Sequence, residues 1–474
     1  MKQLLANLED YGFEIWVVTA SPEVLYQQFV SENTGIPLNR IIGVKSVIHD
    51  GKVTRTLVQP VPQDAGKADA IQTFIKAKPL FVAGNSRGDW EMMNESVGLK
   101  FYIDQKISPV HQDLTNLEKH FQIRSSLYTK LGLPSKFIRD RSILEVGAGS
   151  GHNSLYTASQ SPKIYHICEP NPVAVKDIDE LFSNLAVPHT TPDVFCQKLD
   201  DYFYKTKYDI VICEGWLGGI TDYERDMMRR LASFVAPGGL LIMTYFPPIG
   251  GLSSFLRRIL AYRTINEYDS FTDKTNKLMD AYGTHLSTLQ HLSRTHEHWV
   301  QDSILNPHIY VGPLSPKMCM NILGNQFELY NSVPTFYTDW RWYKSLFGSE
   351  KNYNQRFLEQ LDALSHSLLD YRYDVSYRNP KENLQLENLC LALIDVAKEY
   401  DEKGYDAYKI YISPILKKIA DNLITIPNEE TKKSFAEVLG LLNQKDISTQ
   451  DIRDMKYFPG LFGREQCYLS FIQQ

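Results

Sequence analysis

Apolar and polar positions follow three successive patterns along the chain, and the first extends from Phe13 to about Asp104. Within it, short apolar runs alternate with stretches that have the spacing of an amphipathic helix. The predicted strands are FEIWVVT, LFVAG and KFYI, and the predicted helices are PEVLYQQFVSENTG and GKADAIQTFIKA. The run IIGVKSVIHDGKVTRTLV is typical of a hairpin that turns at Asp50-Gly51. Alternating strands and helices predict a parallel sheet covered on both faces.

A second alternation of strands and helices begins near Arg141. The predicted strands are RSILEV, KIYHICEP, DVFCQ, YDIVICEG and GGLLIMTYF, and a glycine-rich turn follows the first of them. The segment from about 253 to 313 has mixed helical character and is typical of an insertion. After it, FELYNSVP returns to a strand pattern.

The third pattern, from about 335 to 457, is helical, and the final GREQCYLSFIQQ alternates like a strand. We therefore predict a domain at 1–115, a second at 116–334 with its insertion at 253–313, and a helical insertion at 335–457. Residues 458–474 are predicted to return to the sheet of the second domain. The alternative is a separate C-terminal helical domain with a frayed tail.

Composition narrows the possible partners and the compartment. A net charge of −6 over 474 residues gives no basic footprint for nucleic acid. The six cysteines are widely spaced without a CxxC pair, which argues against a disulfide framework and favours a reducing cytoplasm. The most apolar window is broken by Gly-Gly and Pro-Pro, so no membrane span is expected. These features leave a small-molecule substrate as the expected partner and do not determine the oligomeric state.

The glycine-rich turn in ILEVGAGSGHN carries the most specific signal. Gly147, Gly149 and Gly151 let the backbone approach a ligand without a Cβ clash, at the start of a helix whose free amides face that ligand. A dinucleotide fingerprint would place a glycine where His152 stands. Glu145, two residues ahead of the turn, suits a cationic ligand better than a pyrophosphate.

This arrangement resembles the first motif of class I S-adenosyl-L-methionine-dependent methyltransferases. The resemblance implies a Rossmann-like α/β fold that binds this cofactor through Glu145 and the turn residues Gly147, Ala148, Gly149 and Gly151. It also implies that Glu169, which ends the second strand, accepts the ribose hydroxyls, and that Glu214 meets the methionine portion or the substrate. After the third strand Gln197 comes first and Asp200 later, where the family has an acid near the adenine. A Rossmann-like domain whose glycines merely form a tight turn is the alternative.

Five of the twelve histidines fall between His285 and His308. His296, His298 and Asp302 are spaced so that they could remove a substrate proton or bind a metal. A polar lid helix with surface histidines explains the same pattern, and all three interpretations stay open.

The first hundred residues resemble the haloacid dehalogenase-like (HAD-like) hydrolases, in the branch that contains phosphoserine phosphatase. Thr19 matches the second motif of that family, Lys67 the third, and Asn85 and Asp89 the fourth. No DxDxT motif precedes Thr19, and without its nucleophile the covalent step is missing. Asn85 also removes a charge from the metal site of that family, which weakens magnesium binding. The resemblance therefore implies a partial HAD-like domain with a degenerate site.

Together these patterns predict a cytoplasmic methyltransferase fused to an incompetent HAD-like remnant, acting on a small-molecule or sugar-linked acceptor. Two other hypotheses stay open. One is a bifunctional phosphatase and methyltransferase whose assigned start is too late, and the other is a methyltransferase fold retained as a non-catalytic binding module.

Overall fold

The structure, a computed structural model, describes residues 2–84, 87–102, 112, 114–185, 187–217, 221–266, 269–290, 292, 294–306 and 314–474. The chain divides into an N-terminal unit, residues 1–107, and a C-terminal unit, residues 108–474. None of the described helices is long and apolar enough to cross a membrane.

The N-terminal unit contains four helices and six strands in its described part. The helices are α1 (Lys2–Asp10), α2 (Glu23–Thr34), α3 (Ala65–Ala70) and α4 (Trp90–Asn94). The strands are β1 (Val17–Pro22), β2 (Ile41–Val44), β3 (Ser46–His49), β4 (Lys52–Leu57), β5 (Phe81–Gly84) and β6 (Leu99–Tyr102). They form three two-stranded sheets: β1 with β2 and β5 with β6 in parallel, and β3 with β4 in antiparallel orientation. This arrangement does not by itself show the expected HAD-like fold.

The predicted hairpin in this unit is correct only in its second part. β3 and β4 pair across Asp50-Gly51, where both residues have positive φ (50° and 71°), as a tight hairpin turn requires. The first segment was assigned wrongly, because Ile41–Val44 pairs in parallel with β1. Ile41 and Ile42 are buried, and two consecutive buried residues need a strand covered on both faces, whereas β3 and β4 are largely exposed.

One seven-stranded sheet organises the C-terminal unit. Its strands are β7 (Ser142–Val146), β8 (Ile164–Cys168), β9 (Asp193–Phe195), β10 (Tyr208–Cys213), β11 (Val235–Tyr245), β12 (Phe327–Val333) and β13 (Cys467–Gln473). They lie in the order β12-β13-β11-β10-β7-β8-β9. Neighbours from β11 to β9 are parallel, and β13 pairs antiparallel with both β11 and β12. The α/β class predicted from the sequence is confirmed for this unit.

Fourteen α-helices of the described residues accompany this sheet. Those up to β12 are α5 (Leu117–Lys130), α6 (Ser154–Ser159), α7 (Pro172–Ser183), α8 (Asp222–Ser233), α9 (Pro248–Ala261), α10 (Phe271–Leu286), α11 (His296–Val300) and α12 (Pro316–Leu323). Those after β12 are α13 (Tyr353–Leu364), α14 (Pro380–Tyr400), α15 (Gly404–Ala407), α16 (Ser413–Leu423), α17 (Glu429–Leu442) and α18 (Thr449–Arg453).

Both faces of the central strands are buried, which explains their nearly continuous apolar sequences. Alternate residues enter two hydrophobic clusters: Ile143 packs with Tyr128 and Leu155 on one face, and Leu144 packs with Val211 on the other. Glu145 has the strand parity of Ile143, so its carboxylate points to the face covered by α5 and α6. An ionisable residue therefore enters an otherwise apolar interior.

The helices between β12 and β13 share one hydrophobic core with the sheet. Leu393 of α14 and Ile419 of α16 belong to the same buried cluster as Leu241 of β11 and Leu469 of β13. α14 also packs against α9, the helix that follows β11. The whole segment from 108 to 474 is accordingly one compact unit.

Candidate functional site

The glycine turn follows β7 at the carboxyl edge of the sheet. Gly147, Gly149 and Gly151 have φ values of +73°, +56° and +76°, a region that side chains with a Cβ rarely adopt. An ideal Cβ on Gly147 would lie 2.1 Å from Cδ1 of Trp216, and one on Gly151 would lie 2.8 Å from Cγ1 of Ile178. A Cβ on Gly149 meets no atom of the described residues within 4 Å. Two of the glycines are therefore required by internal packing, and the middle one borders open space.

Glu169 lies directly beside this open space, at the end of β8. Its side chain is buried and accepts hydrogen bonds from the backbone N–H of Gly149 and of Asn171, each at 2.9 Å. Burial raises the pKa of Glu169, and the two backbone hydrogen bonds oppose that rise. The structure thus brings together Gly149 and Glu169, two residues that the sequence assigned to one ligand.

Glu145 is placed differently, beneath the turn. Its carboxylate accepts hydrogen bonds from the Ser154 hydroxyl at 2.9 Å and from the Tyr165 hydroxyl. Burial raises its pKa to about 7, against the stabilising effect of those two hydroxyls. Glu145 anchors the first turn of α6 to the strands β7 and β8, with one hydroxyl on each carboxylate oxygen. Ala148, also predicted for the site, is partly buried and packs against the hydrophobic cluster that contains Ile143 and Leu155.

Glu214 ends β10, next to the glycine turn, because Cys213 pairs with Val146 in the sheet register. Arg124 and Tyr128 of α5 both hydrogen-bond its Oε1, at 2.7 and 3.0 Å. Two residues further on, the Trp216 indole donates to the carbonyl of Val146 at 3.0 Å and so covers Gly147. The sequence analysis did not predict the contributions of Arg124, Tyr128 and Trp216, although Trp216 lies in the same run as Glu214, CEGWLGG.

The two positions considered for the adenine do not converge on the turn. The backbone carbonyl of Gln197 accepts from the thiol of Cys168 at 3.3 Å. The exposed Asp200 accepts from the hydroxyl of Tyr223 at 2.8 Å. Neither side chain contacts the glycine turn in any hydrogen bond of the described residues.

Of the histidine segment, His296 and His298 lie on the short helix α11 and His285 lies on α10, whereas His291 and His308 lie outside the described residues. His296 is exposed, while Asp302 pairs with Arg294. Trp299 and Val300 of this segment are buried. No group of three residues suited to hold a metal occurs in the described part of the chain, so metal binding by His296, His298 and Asp302 has no support.

In the N-terminal unit, Lys67 and Asp89 form a buried ion pair of 2.5 Å. Thr19 accepts a hydrogen bond from the backbone N–H of Ser21 at 3.2 Å. Asn85, the remaining residue predicted here, lies outside the described residues. The ammonium group of Lys67, which would neutralise a phosphate in a HAD-like hydrolase, is thus paired with the carboxylate of Asp89.

Residues 144–241 match the family model described as a methyltransferase domain. The comparison with curated proteins finds no match. Similar solved structures include the N-methyltransferase NodS from Bradyrhizobium japonicum WM9 with S-adenosyl-L-homocysteine (17% identity, TM-score 0.23, covering 28% of this chain and 62% of NodS). Another is magnesium protoporphyrin IX methyltransferase (ChlM) from Synechocystis PCC 6803 (20% identity, TM-score 0.24, covering 29% and 63%). The chain spans less than two thirds of the length of either protein.

The match identifies a methyltransferase domain within this chain. The methyltransferase domain of this chain, residues 144–241, contains the glycine turn together with Glu169 and Glu214.

Proposed function

We propose that this enzyme transfers a methyl group from S-adenosyl-L-methionine to a small-molecule or sugar-linked acceptor. The observation that carries the proposal is the open space above Gly149, bordered by the carboxylate of Glu169. At Gly149 a positive φ coincides with a position that no atom of the described residues fills, which leaves room for a ligand to approach the backbone beside Glu169.

The residues at this edge fit the cofactor. The backbone of Gly147, Gly149 and Gly151 would line its methionine portion, and Glu169 would accept the ribose hydroxyls by exchanging its backbone N–H donors for them. Glu214 adds a second carboxylate on the neighbouring strand end. When bound, the cofactor supplies an electrophilic methyl group on a sulfonium. The part of the protein is then to exclude water and align the attacking atom with that methyl group.

Charge favours a neutral or cationic acceptor. Glu169 and Glu214 both lie at the edge where the acceptor must approach, and the nearby guanidinium of Arg124 is engaged by Glu214. A polyanionic acceptor would be repelled there, and the net charge of −6 provides no compensating basic surface. All six cysteines are free, five of them buried, which supports action in a reducing compartment such as the cytoplasm.

Isothermal titration with S-adenosyl-L-methionine and with S-adenosyl-L-homocysteine tests the cofactor assignment. We expect binding in the micromolar range, and folded protein that binds neither compound would refute it. Methyl transfer to small-molecule extracts, followed with isotopically labelled cofactor, then identifies the acceptor class. Cofactor binding without transfer to any extract would favour the alternative of a non-catalytic binding module.

The N-terminal unit, in this proposal, is a HAD-like module without phosphatase activity. The support is the Lys67–Asp89 pair, in which each group neutralises the other. Hydrolysis of p-nitrophenyl phosphate with magnesium tests this part. We expect no activity above background. Hydrolysis that disappears in the variant Asp89→Ala would instead favour a bifunctional enzyme.

A further inference from the structure

The side chain of Arg124 is the centre of a polar cluster buried at the carboxyl edge of the sheet. Arg124 is 5% exposed and lies on α5, outside the matched methyltransferase domain. Its Nη2 donates to Oε1 of Glu214 at 2.7 Å and to the hydroxyl of Tyr128 at 2.6 Å. The Tyr128 hydroxyl donates to the same Oε1 at 3.0 Å. One oxygen of Glu214 therefore receives two donors, both supplied by α5.

Electrostatics keep Arg124 charged. Burial by itself disfavours the guanidinium of Arg124, but the carboxylate of Glu214 and two tyrosines outweigh burial and raise its pKa well above the ordinary value. Burial likewise raises the pKa of Tyr128, so this hydroxyl stays a donor. A buried pair of this kind is costly to break, because the partner left behind is an uncompensated buried charge.

The second oxygen of Glu214 has no hydrogen-bond partner among the described residues, although the side chain is only 9% exposed. A buried carboxylate oxygen without a donor is unusual, and one on a site edge marks a place for a ligand donor. The neighbouring strand β7 ends at Val146. The indole of Trp216 donates to the carbonyl of Val146 and covers Gly147, the next residue. The unpartnered oxygen is thus beside the turn that a ligand approaches.

We propose that Arg124 is a positioning residue, which fixes Glu214 through Oε1 and leaves Oε2 to receive the amino group of the cofactor's methionine portion. This inference rests on the proposed function. It assigns a role to α5, whose sequence carries no cofactor motif. Arg124 itself need not touch the cofactor, since its Nη2 already serves Glu214 and Tyr128.

Two ligands separate this role from a structural one. S-adenosyl-L-homocysteine carries the amino group, and its deamino analogue, 4-(5′-adenosylthio)butyrate, lacks only that group. In the parent protein we expect the amino compound to bind at least about tenfold more tightly, the scale of a hydrogen bond between charged groups. Arg124→Gln and Glu214→Gln should each lose most of this preference, while the affinity for the deamino analogue stays within about twofold. The double variant should lose no more than either single one, because both remove the same interaction.

Arg378→Gln is the matched control, since Arg378 is also buried and pairs with a glutamate, Glu382, at 2.9 Å. It should lower the melting temperature without changing the ratio of the two affinities. If Arg124→Gln does not fold, Tyr128→Phe removes a single hydroxyl and should reduce the ratio by a smaller factor. The inference is overturned if the variants weaken both ligands equally or if the ratio stays at the parental value. A parent protein that binds neither ligand overturns the proposed function, and this inference with it.

Discussion

Substitution of single glycines by alanine distinguishes the glycines of the turn that internal packing requires from the one that we expect to face the cofactor. Gly149→Ala adds a Cβ that meets no atom of the described part of the chain within 4 Å, so we expect its cost to folding to be limited to backbone strain at φ +56°. That strain is about 1–2 kcal/mol, partly offset by the lower entropy of the unfolded alanine chain. Gly238→Ala is the matched control, because Gly238 also has a positive φ (+73°), open surroundings and a position at the start of β11.

The two variants should therefore unfold with similar free energies, about 1 kcal/mol below the parent in urea denaturation. Their binding of S-adenosyl-L-homocysteine should differ. Gly149→Ala places a methyl group in the space that the proposed cofactor occupies, and we expect at least about a tenfold loss, or 1.4 kcal/mol. Gly238→Ala should bind like the parent, as measured by isothermal titration.

Gly151→Ala tests a glycine of the turn that internal packing requires. Its Cβ would lie 2.8 Å from Ile178, so strain from overpacking of about 1–3 kcal/mol is added to the backbone term. This variant should be the least stable of the three. The reasoning is refuted if Gly149→Ala binds S-adenosyl-L-homocysteine as tightly as Gly238→Ala, because the ligand would then not approach the turn at its middle glycine.

Three further predictions concern Glu169, Glu145 and the last strand, β13. Glu169→Gln should weaken S-adenosyl-L-homocysteine binding by about 1–3 kcal/mol, since the amide keeps one acceptor oxygen and no charge; parental affinity would contradict the ribose role. Because burial raises the pKa of Glu145 from 4.5 to about 7, the folded state favours its neutral form, and parental stability should fall as pH rises from about 4.5 to 7. Glu145→Gln should remove up to about 3 kcal/mol of this dependence, and parallel stability curves for the two proteins would rule out the shift. Phe471→Ala, at a fully buried position of β13, should cost about 3–5 kcal/mol in denaturant unfolding, whereas Gln474→Ala should cost almost nothing.

The residues of the candidate site that the sequence predicts are those that lie within short local patterns. The turn from Gly147 to Gly151 follows its strand directly, and Glu169 and Glu214 each end an apolar run that is recognisable as a strand. Parallel strands bring such ends to one edge, so local patterns suffice to place these residues together. The spacing of His296, His298 and Asp302 likewise singled these residues out, but it did not show what they contact.

Contacts between segments that lie far apart in the sequence could not be predicted from such local patterns. Arg124 meets a glutamate 90 positions later, and nothing in the sequence of α5 marks it apart from other amphipathic helices. The parallel pairing of Ile41–Val44 with β1 was missed for the related reason that an adjacent hairpin offered a local alternative. Both cases depend on which surfaces become buried together, which is a property of the tertiary fold.

The position of β13 links the helical segment to the site. This strand lies between β11 and β12, yet more than a hundred residues separate it from β12 along the chain. The sheet cannot close until the helices from α13 to α18 bring the chain end back, and contacts of such separation form late and slowly. Tyr468, the second residue of β13, lies close enough to Arg124 to raise its pKa. The last strand thus adds a tyrosine to the surroundings of the buried cluster around Glu214, and the helical segment contributes to the proposed cofactor site by returning the chain to the sheet.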